Sequence, residues 1–187
     1  MIYYQTIVVG VNILVFILLN IFKIYLLEKF ALIPYLVIEN GEYWRLITNC
    51  LCHGSLMHLF FNMNAVVNCL PSLIILKDKM FKIIFSLLFF YNIIYLMSSY
   101  ILKYYFYNST LYYTPVIGFS GVLFGLIYIN SHLNPYLVYE IMGFSFLNQY
   151  SPLVVLFFSQ MMGRNVSLLG HISGIISGII TVYILNL

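Results

Sequence analysis

Long apolar runs recur along this chain with almost nothing charged inside them, and that decides what it can fold into. Charged residues make up 7% of the 187 and hydrophobic residues 63%, with a mean hydropathy of +1.00. So little polar surface cannot clothe a soluble domain of this length. The runs are of the length that crosses a bilayer as helix, about 20 residues each. Six of them use most of the chain, so the sequence predicts one all-α membrane domain over residues 1–187, a six-helix polytopic bundle with no separate soluble domain.

The expected spans are approximately Thr6 to Leu27, Leu56 to Leu76, Met80 to Tyr104, Phe119 to Leu133, Tyr150 to Met162, and Ser167 to the end. Lys23 is expected to snorkel near the far end of the first. No basic n-region or small-residue cleavage site precedes that run, so it reads as a retained span rather than a cleaved signal. The longest loop, Glu28 to Ser55, holds Glu28, Glu39 and Glu42 with Tyr35, Tyr43 and Trp44, the composition of a segment lying in the interface. The fourth span is shorter than hydrocarbon is thick, which is tolerable if it starts inside the protein at a water-filled cavity.

The net charge of +3 comes from few, scattered basic residues and reflects membrane topology rather than a nucleic-acid surface. Cys50, Cys52 and Cys69 complete neither a disulfide framework nor a metal site, and no role is assigned to them.

Polar residues inside the apolar runs are costly and point to function. His58 and Asn62 stand four apart at the start of the second span, on one helix face, with His53 just before it. Ser120 opens the fourth span inside Gly118-Phe119-Ser120-Gly121, and His171 opens the sixth after Gly170. Spans two, four and six enter the membrane from the same side, so these residues from three distant stretches share one depth. Each alone has a plainer reading: a packing glycine motif, a histidine bonded across helices, polar glue. Their coincidence at one depth is what carries the inference.

Lys77, Lys79 and Lys82 crowd the turn at the opposite side, which the positive-inside rule places in the cytosol together with the termini. Lys29, Arg45, Lys103 and Arg164 dilute that bias. The sequons at Asn108 and Asn165 fall on the side of the polar cluster, as they would if it were luminal.

The residue types suit acyl transfer. A serine at a helix N-terminus has free backbone N–H groups around it and a dipole that favours negative charge. Gly118 and Gly121 allow a sharp turn and close approach of a substrate backbone. His171 can take the serine proton if helices four and six touch, and Gly170, Gly174 and Gly178 offer a small-residue ridge to match Gly121 and Gly125. His58 and Asn62 can donate to an oxyanion. Asp78 is the sole aspartate and His53 is followed by Gly54, so neither an aspartyl dyad nor an HExxH zinc site is available. With no carboxylate in any span, a Ser-His dyad remains.

These residues resemble the rhomboid intramembrane serine proteases. The resemblance runs over nearly the whole chain and rests on Trp44-Arg45, on HxxxxHxxxN at His53, His58 and Asn62, on GFSG at Gly118 to Gly121, and on GHxxG at Gly170 to Gly174. It implies a six-span fold, Ser120 as nucleophile, His171 as general base, and Asn62 and His58 with the Ser120 N–H holding the oxyanion. It implies supporting roles for His53, Trp44 and Arg45, and a gating role for the fifth span and its following loop. Its substrates would be single-span proteins within the lipid bilayer, with no metal or organic cofactor. Where some rhomboids carry a tyrosine that stacks on the catalytic histidine, this chain has Phe124, which can stack but not donate a hydrogen bond. GFSGVLF also looks like the endoplasmic-reticulum branch, implying that or another secretory-pathway membrane. The rival reading is a rhomboid-fold client-binding factor that does not cleave; relatives of that kind usually lack the serine or the histidine, and this chain keeps both. A transporter would show intramembrane charge or inverted repeats, and neither is visible.

Overall fold

The computed structural model describes residues 2–21, 26–141, 143–161 and 166–187. Lys23, Arg164 and the Asn165 sequon lie outside the described residues, as does most of the expected connection before the last span. Helix α1 covers Ile2–Ile21, and three short helices follow in the long loop: α2 Leu26–Phe30, α3 Pro34–Ile38 and α4 Arg45–Thr48. Next come α5 Leu56–Cys69, a 3-10 stretch Leu70–Lys79, α6 Met80–Tyr105 and the short α7 Thr110–Tyr113. Helix α8 is Ser120–Leu133, α9 is Ser151–Met161 and α10 is Leu168–Leu185. Between α8 and α9 lies a hairpin, β1 Val138–Ile141 paired antiparallel with β2 Phe144–Leu147, Val138 facing Leu147.

The chain is a helical membrane protein. Among the described residues, three helical stretches are long and apolar enough to cross a bilayer by length and composition: Tyr3–Ile21, Leu56–Tyr105 and Leu168–Leu185. The count of six therefore does not follow from length. Helix α8 has 14 residues and α9 has 11; at the helical rise, α8 measures about 21 Å against a hydrocarbon core of about 30 Å. The Lys77 to Lys79 segment, expected as a turn, is wound into the 3-10 stretch, whose one non-helical residue is Leu73. Leu70-Pro71 starts that stretch, where a missing N–H is least costly.

Side-chain contacts fix the directions of the helices. Gly121 and Gly125 of α8 meet Gly174 and Gly178 of α10 in the same order, so these two run parallel. Against α6 the order reverses: Gly121 meets Tyr91, Gly125 meets Leu87. The Ser86 and Thr181 hydroxyls share a hydrogen bond of 2.8 Å, and Lys79 Nζ donates to the Leu185 carbonyl, so α6 and α10 are also antiparallel. Gln5 at the start of α1 donates to Val67 at the end of α5, which sets those two antiparallel. The His58 ring, in the first turn of α5, lies against Gly118 just ahead of α8, so α5, α8 and α10 start at one end of the bundle. The core is built around α8, whose Val122 to Ile127 are all buried. It packs on Leu59, Met63 and Val66 of α5 and on Met80, Ile83 and Leu87 of α6. Apolar side chains of α1, α5 and α6 that face outward, such as Leu14, Phe60, Phe81 and Phe85, present the surface that lipid would cover.

Candidate active site

Four local devices bring the polar residues of α5, α8 and α10 to the common end. The first is the long loop. Arg45 is buried, and its guanidinium donates to the Glu42 carboxylate (Nε, 2.7 Å) and to the carbonyls of Glu28 and Ala31 (both 2.7 Å). With the Nη2 contact to Glu42, four of the five guanidinium N–H donors are engaged, and charge-assisted bonds of this kind offset the burial of the charge. Trp44, exposed, reaches the Lys29 carbonyl with its indole N–H at 3.4 Å. Both residues brace the loop. Leu32 and Val116 exchange two backbone hydrogen bonds of 2.9 Å, tying the loop to the lead-in of α8.

The second device is Gly118. Its φ of +118° is one that side chains rarely adopt, and its N–H donates to the Asn49 carbonyl at 2.9 Å. A Cβ there would come within 2.8 Å of both Cε1 and Nε2 of His58. The glycine thus lets the imidazole lie against the backbone just before Ser120. Phe119, ahead of the helix, offers no side-chain cap, so the first N–H groups of α8 are not consumed by one. Ser120, half-buried, begins the helix at that point.

The third is the glycine seam. A Cβ on Gly174 would collide with the Gly121 carbonyl oxygen, and one on Gly178 would fall 2.8 Å from that of Gly125. Ser120 precedes Gly121 by one residue and His171 precedes Gly174 by three. In parallel helices rising about 1.5 Å per residue, the serine and histidine are offset by only about 3 Å along the axes. Gly170 lies near the Tyr91 hydroxyl of α6, and Tyr91 fills the space where a Gly121 side chain would be. Sequence reasoning missed Tyr91, because an aromatic in a long apolar helix carries no signal of its own.

The fourth device holds the histidines. The His171 ring stacks on Phe124, centroids 4.1 Å apart at 28°. Its Nδ1 lies 3.2 Å from Ser159 Oγ and 3.4 Å from Gln160 Nε2, both on α9. These two partners were also missed, since they depend on how α9 is turned. Among the described residues, no hydrogen bond joins Ser120 to His171. His58 sits in the first turn of α5, capped by Ser55 Oγ, and its ring meets that of His53 edge-on at 5.0 Å. His53, in the loop before the helix, is 2% exposed, and neither ring nitrogen makes a well-aligned hydrogen bond, the Leu51 backbone offering only a weak one. Burial, with His58 second, holds its pKa down to about 4, so the ring is neutral. Asn62 is buried and spends one N–H on the His58 carbonyl at 2.8 Å, leaving its Oδ1 unmatched. Its amide carries a second N–H for another acceptor.

The arrangement suits a developing negative charge near Ser120: an uncapped helix start, an imidazole against Gly118 and a carboxamide one turn further along α5. Among the described residues, no group of three metal-ligating side chains is gathered, and Cys50, Cys52 and Cys69 are buried free thiols.

Known proteins are similar to this sequence over most of its length. A family model described as the Rhomboid domain matches residues 40–186. Two proteins of Arabidopsis thaliana are similar. Rhomboid-like protein 15 is 30% identical over 158 residues, spanning 78% of this chain and 38% of that protein. Rhomboid-like protein 14, mitochondrial, is 29% identical over 154 residues, spanning 79% of this chain and 45% of its own length. The matched region is thus less than half of either relative.

Proposed function

The chain belongs to the rhomboid family, and on that premise we propose that it is an intramembrane serine endopeptidase cutting membrane-protein substrates in or near their spanning segments. Ser120 Oγ attacks the scissile carbonyl carbon while its proton passes to His171 Nε2. The tetrahedral oxyanion is met by the first N–H groups of α8 and by the side chains of His58 and Asn62. His171 then delivers the proton to the departing amide nitrogen. Water repeats the sequence on the acyl-enzyme, with His171 again as base. No cofactor takes part. Single-span proteins are the substrates that suit a site opening at this depth, and helix-weak segments would present an extended backbone to it.

The observation that carries this reading is the meeting at one end of the bundle of Ser120 on α8, His171 against Phe124 on the parallel α10, and His58 against Gly118. Six segments are taken as crossing, the 3-10 stretch serving as the reversal between the second and third. The Lys77, Lys79 and Lys82 end is assigned to the cytosol, which places the site toward the lumen of the endoplasmic reticulum or another secretory-pathway compartment. A fluorescent fusion imaged beside organelle markers checks that assignment, and a mitochondrial pattern would overturn it.

One observation favours a second reading, a client-binding rhomboid-fold factor without proteolysis: Ser120 and His171 share no hydrogen bond among the described residues. Labelling of purified, detergent-solubilised protein with a fluorophosphonate separates the two. The protease reading expects labelling that vanishes in both Ser120→Ala and His171→Ala. A folded wild type that does not label supports the client-binding reading.

A further inference from the structure

A dyad leaves open what keeps its histidine in the useful tautomer. General-base action through Nε2 requires that Nδ1 carry the ring proton, and in a triad a carboxylate enforces this. Among the described residues, no carboxylate bonds to His171; its Nδ1 faces Ser159 and Gln160 instead. A serine hydroxyl can donate once and accept twice. The Ser159 hydroxyl already donates to the Leu156 carbonyl of its own helix, at 2.7 Å. With its one proton spent, Oγ can meet Nδ1 only as an acceptor. The bond at 3.2 Å therefore calls for a proton on Nδ1 and leaves the lone pair on Nε2.

Gln160, whose amide nitrogen faces Nδ1 as placed, fits the same assignment once that amide is turned. Its amide lies 3.4 Å from Nδ1, and a half-turn of that amide exchanges nitrogen for oxygen and offers a second acceptor. We propose that Ser159, assisted by Gln160, is the positioning residue of this site: it holds His171 in the Nδ1-protonated form and steadies the imidazolium formed when Ser120 gives up its proton. This rests on the protease reading above. It places a neutral hydroxyl on α9 in the position a carboxylate takes in a triad, and it makes the base depend on how α9 sits against α10.

The test is nitrogen NMR of the full chain with 15N-labelled histidine at neutral pH, the His171 signals assigned through His171→Gln. The expected result is a protonated Nδ1 and a bare Nε2 at His171 in the wild type, giving way to mixed tautomers in Ser159→Ala. In cleavage assays Ser159→Ala should lower kcat about 10-fold with KM unchanged, the effect of losing one hydrogen bond. Ser159→Thr, which keeps a hydroxyl able to bond the preceding turn, should recover most of it. A bare Nδ1 in the wild type overturns the proposal, as does a Ser159→Ala protein with unaltered tautomer. Equal impairment of the alanine and threonine variants also overturns it, since packing rather than the hydroxyl would then be at issue. A wild type that fails to label with fluorophosphonate defeats the protease reading, while the nitrogen spectrum still decides the tautomer.

Discussion

The two ends of α8 treat polar groups in opposite ways. At its C-terminal end, Asn134 donates to Asn130 Oδ1 at 3.1 Å and to the Ser72 carbonyl, while Asn130 donates to the Tyr139 hydroxyl. Asn148 closes the network with two bonds of 3.0 Å to the carbonyls of Asn130 and Asn134. No buried polar atom of these asparagines is left over; Ser151 Oγ is the exception at that end among the described residues. At the N-terminal end, both His53 nitrogens and the Oδ1 atoms of Asn62 and Asn49 are buried without well-aligned partners. A satisfied network ties α8, the hairpin and the 3-10 stretch together, and it has nothing left to give a ligand. An unsatisfied cluster costs stability and keeps its bonds for something that arrives. One end is architecture, the other is held in reserve.

If that contrast is right, changes at the two ends should separate activity from stability. The largest effect should come from Ser120→Ala or His171→Ala: cleavage should fall by at least about 1,000-fold with an unchanged melting temperature in detergent. Residual turnover above that level would take one of the two out of the chemistry. His58→Ala should follow, with kcat down about 100-fold through loss of an oxyanion donor. Its melting temperature should change little, because the ring is only half-buried and makes no side-chain hydrogen bond among the described residues. Asn148→Leu should do the reverse, costing about 2 kcal/mol of stability by removing two buried hydrogen bonds while the folded fraction keeps its kcat. A drop in kcat there, measured at matched folded protein, would blur the division between the ends. Phe124→Tyr should matter least, changing kcat by less than about 3-fold, since the ring that faces His171 remains.

Much of the helical layout was legible in the sequence. The third expected span began at Met80 as α6 does, and the fourth began within one residue of α8. Apolar runs bounded by lysines, glycines or polar loops leave little choice in lipid. The common end of α5, α8 and α10 followed from counting crossings, and contacts between the helices agree with it. What was hidden depends on side-chain direction. The short helices α2 to α4 stay put through Arg45 and its carbonyl partners, which are far apart in sequence. The hairpin over residues 138–147, expected as loop, pairs exposed segments of four residues each, too short to show an alternation. Ser159 and Gln160 reach His171 because of the rotation of α9, which a short apolar helix does not announce.

The glycine seam has one more consequence. Where Cα carbons of one helix rest on carbonyl oxygens of another, there is little room to slip by a single residue, because the residues that follow the four glycines are the bulkier Val122, Leu126, Ile175 and Ile179. The next position at which small meets small lies four residues away, a jump of about 6 Å. Between those stops the interface has no resting place. Ser120 and His171 are thus indexed like a ratchet: aligned at one tooth, out of reach at the next. Strain or heat should switch the pair off in a single step, with no half-misaligned state of partial activity in between.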